Sequence, residues 1–283
     1  MSNESIADYY DASTARFLLV GGSGRSLAIH RQLWAEGVET TEEASDHINA
    51  VVRETAERLL GTAPETLCDL GCGVGGSILH LARAWPATRL VGLTISAAQA
   101  QRAEAELRAR GLDGRCRVLR ADFTRPVDVP PADLALAIES HVHAASARDF
   151  LAAARRLLRP GGLLIVVDDM LLRPESDLSP EARRRVAAFR KGWRLGHVPD
   201  RAGFAAAGDA EGFDFAEMQD LTALLRLDRL RDRPLPVAGP LADRLGLNAW
   251  PFFGNMIGGD ALTRCYRTGV MGYTLAALRL RDA

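Results

Sequence analysis

The chain has 283 residues, enough for one large domain or a domain with an appendage, and balances 35 basic against 36 acidic side chains. A net charge near zero argues against a nucleic-acid binder, which carries a basic excess. The four cysteines lack C-x-x-C spacing, the first residues lack the basic and apolar regions of a signal peptide, and no apolar run approaches the roughly 20 residues of a membrane span; zinc, disulfides, secretion and membrane insertion are therefore not expected, and a cytoplasmic location is.

Residues 1–60 read as a helical arm or lid, interrupted by Gly21-Gly-Ser-Gly24, with a clear helix start at Thr41 followed by acids. Tyr9, Tyr10, His30 and Trp34 lie in this arm, either as amphipathic core residues or as part of a lid. Residues 61–283 then read as the main domain. Residues 67–70 are a short apolar run suited to a buried strand, and a helical pattern begins at Ser77. Between them stands Asp69-Leu-Gly-Cys-Gly-Val-Gly75. Gly71, Gly73 and Gly75 would let backbone approach a ligand closely at a helix N-terminus, although such turns also serve plain packing. The spacing is not the G-x-G-x-x-G of dinucleotide folds.

A second strand is expected at 88–94 with a helix at 96–110, a third strand at 117–123, and a fourth at 133–138. A helix at 148–158 and the turn Arg159-Pro-Gly-Gly162 lead to a fifth strand at 163–168. Strands alternating with helices at this rhythm predict a parallel, doubly wound α/β sheet whose ligands sit beyond the strand C-termini. Beyond residue 170 the pattern loosens to a basic helix at 181–194, a sixth strand at 213–221 and a last strand at 273–280. About 50 residues separate the last two strands, more than a usual connection, and they include an aromatic loop at 250–259. Insertions at about 171–212 and 226–270 therefore read as a substrate cap.

Glu139, His141 and His143 follow the fourth strand, where an active site is expected. They could be acid–base groups, metal ligands or a solvated loop. Two histidines at i, i+2 point apart when extended, so no metal is assigned. Arg226, Arg229, Arg231 and Arg233 could hold a diphosphate, but Asp228 and Asp232 interleave with them, which suits a solvated helix face better. Tyr9, Tyr10, Trp193, Phe252 and Phe253 could line a pocket and stabilise a cation with their ring faces, or simply fill a core.

The corner at 69–75 resembles motif I of class I S-adenosylmethionine (SAM) methyltransferases. That resemblance implies SAM as cofactor, with Asp69 facing its methionine end and the three glycines against it. Most such enzymes end the second strand with an acid that grips the ribose; here the position is Thr94. The run Val91-Gly-Leu-Thr-Ile-Ser-Ala-Ala-Gln99 is similar to that of sterol, cyclopropane and related small-molecule methyltransferases, in which Thr94 and Gln99 would bind the ribose instead. The same resemblance implies that Asp122 accepts from the adenine amino group, that Phe123 covers the ring, and that Tyr10, Trp34 and Glu139 complete the cofactor pocket.

The Thr94–Gln99 variant and the segment Glu139-Ser-His-Val-His143 both look like the branch of C-methyltransferases that act on sterols and prenyl groups, including bacterial terpenoid enzymes of the teleocidin type. The resemblance implies a Rossmann-like sheet of seven strands with the last antiparallel, and methyl transfer to carbon of a hydrophobic terpenoid or prenylated molecule, some members coupling it to cyclisation. Tyr9, Trp193, Phe252 and Phe253 would then touch the substrate, and Glu139, His141 or His143 would take up a proton. Methylation of oxygen or nitrogen on a polar natural product is the alternative, and a cyclase or scaffold that keeps SAM without transferring methyl is a third. An arm of this length could also exchange between protomers and form a homo-oligomer.

Overall fold

The structure, a computed structural model, describes residue 27, residues 30–227 and residues 251–282, with the side chains of 251–253 outside the description. Tyr9, Tyr10, Arg229, Arg231 and Arg233, and the side chains of Phe252 and Phe253, therefore lie outside the described residues. Helix α1, Thr41–Leu60, starts where the acids predict. The Thr40 hydroxyl accepts from the Glu43 N–H while the Glu43 carboxylate accepts from the Thr40 N–H, a capping box that satisfies otherwise orphaned donors. Gly61 ends the helix in a left-handed conformation at φ +78°.

The βα alternation follows as expected: β1 (Thr66–Leu70), α2 (Gly76–Ala84), β2 (Arg89–Thr94), α3 (Ala97–Ala109), β3 (Cys116–Arg120), β4 (Ala132–Ile138), α4 (Ala147–Leu157) and β5 (Leu158–Leu171). Then come α5 (Pro180–Gly192), α6 (Arg201–Ala210), β6 (Phe213–Asp220), α7 (Pro251–Arg267) and β7 (Met271–Leu280). The seven strands form one sheet in the order β3-β2-β1-β4-β5-β7-β6. β1 to β5 are parallel, and β7 runs antiparallel to both β5 and β6. Parallel strands covered on both faces need continuous apolar runs, which β4 and β5 supply. One core face gathers α1, α2, α3, α5 and α7, and the opposite face gathers α4 and α6.

Three details depart from the sequence reading. β5 begins at Leu158 rather than after the Arg159-Pro-Gly-Gly162 turn, because Gly161 at φ +72° and a register slip between Ala132 and Leu134 let the turn stay in the ladder. Helix α6, capped by the Asp200 carboxylate, was not expected. The aromatic loop at 250–259 is instead the first half of α7. Gly254, Gly258 and Gly259 are poor helix formers, yet Gly254 and Gly258 create a groove against α5. A Cβ on Gly192 would overlap the Gly254 carbonyl and sit 2.9 Å from the Gly258 Cα, so the two helices pack backbone to backbone. Among the described residues no helix is long and apolar enough to cross a membrane.

Candidate active site

The site lies where β1, β4 and β5 end. At the close of β1, Gly71, Gly73 and Gly75 take φ +106°, +55° and +84°, a region closed to most side chains. Gly71 has a second reason to be glycine: a Cβ there would overlap the Cβ of Ser140 and lie 2.9 Å from its Oγ. Ser140 in turn donates to the Leu70 carbonyl, tying the end of β4 to the glycine corner. Helix α2 lacks a capping side chain, so the N–H groups of its first turn face outward from the corner, free to meet a ligand. Asp69, just before the corner, is 3% exposed, and burial pushes its carboxyl up to about 7.

The next strand end brings Thr94 and Gln99 together. The Thr94 hydroxyl donates to the Gln99 amide oxygen at 2.8 Å, and both residues are buried. Ser96 caps α3 through the Gln99 N–H, which fixes Gln99 in the first turn. Asp122 uses Oδ1 to accept from the Thr124 N–H and hydroxyl at 2.9 and 2.6 Å, an Asx turn beyond β3. Phe123 meets Phe150 edge-to-face at 5.9 Å. Trp34 is half-buried and joined to Leu224 through its backbone N–H, with the Arg226 guanidinium 3.4 Å above its ring.

Glu139 stands immediately after β4 at φ +51°, a conformation that non-glycine residues adopt at a cost of about 1–2 kcal/mol and that aims its carboxylate across the sheet edge. Four residues that sequence reasoning did not single out meet it there. Arg31 donates its backbone N–H to Glu139 Oε1 at 2.6 Å and places its guanidinium 3.0 Å from Oε2. The same guanidinium reaches Asp169 at 2.7 Å. Tyr273 of β7 donates to Glu139 at 2.8 Å, and Tyr266 of α7 donates to Asp169. The Arg31 guanidinium lies 5.2 Å from the Tyr273 ring, 5.4 Å from Trp193 and 6.0 Å from Tyr266, so three aromatic faces surround a cation.

His141 and His143 occupy a single 3₁₀ turn rather than an extended loop. His141 is fully buried behind the strand ends, with Nδ1 2.7 Å from Asp168 and its ring against Phe150, Phe204 and His197. Burial holds the His143 imidazole below its usual range and brings His197 down to about 4. Among the described residues no cluster suits a metal.

A doubly wound sheet with an antiparallel β7, a glycine corner at the end of β1 and carboxylates at the ends of β4 and β5 defines a Rossmann-like fold whose ligands sit beyond the strand C-termini. Residues 67–162 match a family described as a methyltransferase domain. The chain is 30% identical to the O-methyltransferase rstn1 of Aspergillus nomiae over 68% of its own length and 83% of that protein. It is 31% identical to 24-methylenesterol C-methyltransferase 2 of Oryza sativa subsp. japonica over 60% of its own length. The chain spans about half the length of such sterol methyltransferases, covering 47% of this one. Its fold matches a geranyl diphosphate C-methyltransferase from Streptomyces coelicolor A3(2), solved with Mg2+, geranyl diphosphate and S-adenosyl-L-homocysteine, at a TM-score of 0.71, 20% identity, and 98% and 96% coverage of the two proteins. The chain belongs to the SAM-dependent methyltransferase family, and its cofactor is SAM.

The corner fits that cofactor. SAM carries an amino-acid end with an ammonium, a carboxylate and a sulfonium; the open N–H groups of α2 suit the carboxylate, and the buried Asp69 suits the positive charge. Raising the folded-state pKa of Asp69 above its ordinary value means the ligand-free fold holds an extra proton between about pH 4 and about 7, so this group's stabilisation fades as pH rises to about 7. A bound cation favours the carboxylate, so SAM affinity is expected to climb through the same window. Calorimetric titrations at about pH 6 and about pH 8 should show this slope in the wild type and lose it in Asp69→Asn.

Proposed function

We propose that the chain is a methyltransferase of specialised metabolism that transfers the SAM methyl to a carbon of a hydrophobic terpenoid or prenylated molecule. The observation that carries this reading is that Trp193, Tyr266 and Tyr273 ring the Arg31 guanidinium beside Glu139, aromatic faces that already hold one cation. When bound, SAM supplies an electrophilic methyl. An alkene that took this methyl would release S-adenosyl-L-homocysteine, the methyl–sulfur electron pair staying on sulfur, and would be left as a carbocation, which needs aromatic faces to stabilise it and a base to end it. Trp193, Tyr266 and Tyr273 provide the faces. Glu139 takes a proton from the carbon next to the cation; that C–H bond breaks, and its electron pair forms the new alkene. Cofactor contacts are proposed for Asp69, Gly71, Gly73, Gly75, Thr94, Gln99, Asp122, Phe123 and Trp34, and for Tyr10 of the arm. Tyr9, Phe252 and Phe253 are proposed to complete the acceptor pocket. His141 and His143 back the Glu139 turn, His141 through Asp168.

Glu139→Gln is expected to lower kcat by about 10²–10⁴-fold, the usual worth of a general base, while SAM binding falls far less. Steady-state kinetics alongside calorimetry checks the split. A variant with wild-type kcat would remove Glu139 as the base. The identity of rstn1 as an O-methyltransferase favours a second reading, transfer to oxygen or nitrogen of a polar natural product. Product formed with methyl-deuterated SAM separates the two: loss of a skeletal proton with a new C–CD3 bond supports carbon, and a label on a heteroatom refutes it.

A further inference from the structure

One arginine holds both strand-end carboxylates. Arg31 clamps Glu139 from backbone and side chain at once, and its other terminal nitrogen holds Asp169. Each carboxylate also accepts a tyrosine hydroxyl, Tyr273 on Glu139 and Tyr266 on Asp169. The Arg31 and Glu139 side chains are each 15% exposed and Asp169 only 2%, so little water screens the trio. The backbone around Arg31 is pinned as well, since the N–H groups of Leu33 and Trp34 donate to Ala44 and Leu224. We propose that Arg31 is a positioning residue that binds Glu139 and Asp169 into one anionic pair and fixes the Glu139 carboxylate for proton removal.

The geometry leaves few other groups able to do this. Facing Glu139 are Arg31 and His30 from the segment before α1, Tyr273 from β7, Tyr266 from α7, His143 beyond β4 and Asp169 from β5. Facing Asp169 are Arg31, Tyr266, Glu139 and its neighbour Asp168, which is already engaged by His141. Among the described residues, Arg31 is the one permanently charged cation in both sets. Burial pushes the Asp169 carboxyl up to about 7 against the pull of Arg31. Without that pull, two carboxylates bridged by nothing would face each other in a poorly hydrated pocket and could not both ionise.

The proposal rests on Glu139 as the proton acceptor, and the test separates the two. Carboxyl ¹³C NMR on the cofactor-free protein should show Asp169 titrating at about 7 in the wild type. Arg31→Met should move the Asp169 titration upward by about 1–3 pH units, the usual effect of losing an opposite charge at contact distance, and lower kcat. Arg31→Lys keeps the charge but loses the two-ended grip, so its titration should stay near wild type while kcat falls. If Arg31→Met does not fold, the Arg31→Lys kinetics still decide. An Arg31→Lys protein of wild-type kcat, or an unmoved Asp169 titration in Arg31→Met, would overturn the proposal. A Glu139→Gln variant of normal kcat would instead sink the base assignment and leave the NMR result standing.

Discussion

Gly71→Ala is expected to abolish measurable SAM binding and to destabilise the fold by two separable effects. A left-handed backbone costs an alanine about 1–2 kcal/mol. Overlap with the Ser140 Cβ adds about 1–3 kcal/mol, because Ser140 is anchored to Leu70 and cannot swing away without moving the end of β4. Gly37→Ala is the control: its φ is +79° but nothing lies within 4 Å of its Cβ position, so only the backbone cost applies. Thermal unfolding of the two variants should therefore differ by the packing part alone. The damage at Gly71 also reaches Glu139, since Ser140 follows it directly in sequence. A Gly71→Ala protein that binds SAM normally would mean the corner does not cradle the cofactor.

Asp168→Asn is expected to cost about 1–3 kcal/mol, the usual result of weakening a buried hydrogen bond to a charged group. His141 and Asp168 are 0% and 1% exposed, and Asp168 also accepts the Asp169 N–H. Burial opposes the Asp168 charge, but His141, the Asp169 N–H and Arg31 together offset it and hold the carboxyl below its ordinary range. A depressed folded-state pKa stabilises above the unfolded value of about 3.9 and is lost as pH falls through the folded one. The acid limb of the wild-type stability curve should thus be steeper than that of Asp168→Asn, which urea denaturation across about pH 3 to 7 would record. Replacing both members with apolar residues of similar volume should cost less than the single change.

The parts of this molecule legible in the sequence are those fixed by local rules. The glycine corner announces itself because three left-handed positions within five residues admit little but glycine. The capping box at Thr40 and the apolar runs of β1 to β5 are similarly local. Thr94 and Gln99 sit one strand end and one helix turn apart, so their pairing also lies within reach of local spacing. Arg31, Asp169, Tyr266 and Tyr273 were not legible, because each is contributed by a different element and only the register of β5 against β7 and the seating of the segment before α1 bring them to Glu139. The doublet Asp168-Asp169 at the end of an apolar strand was the one visible hint. The first half of α7 reads as a loop because its glycines favour coil in isolation, whereas in the fold they are the surface against which α5 packs. The roles given to Tyr9, Tyr10, Phe252 and Phe253 fall outside the described residues or side chains.

The central claim is that the end of β1 is a SAM site joined to the carboxylates of β4 and β5. Calorimetric titration of the purified protein with SAM tests it most directly. One cofactor bound per protein molecule, tighter above pH 7 than below it and lost in Gly71→Ala, is the expected result. A protein that is folded by thermal unfolding yet takes up no SAM at any pH in that range would contradict the claim.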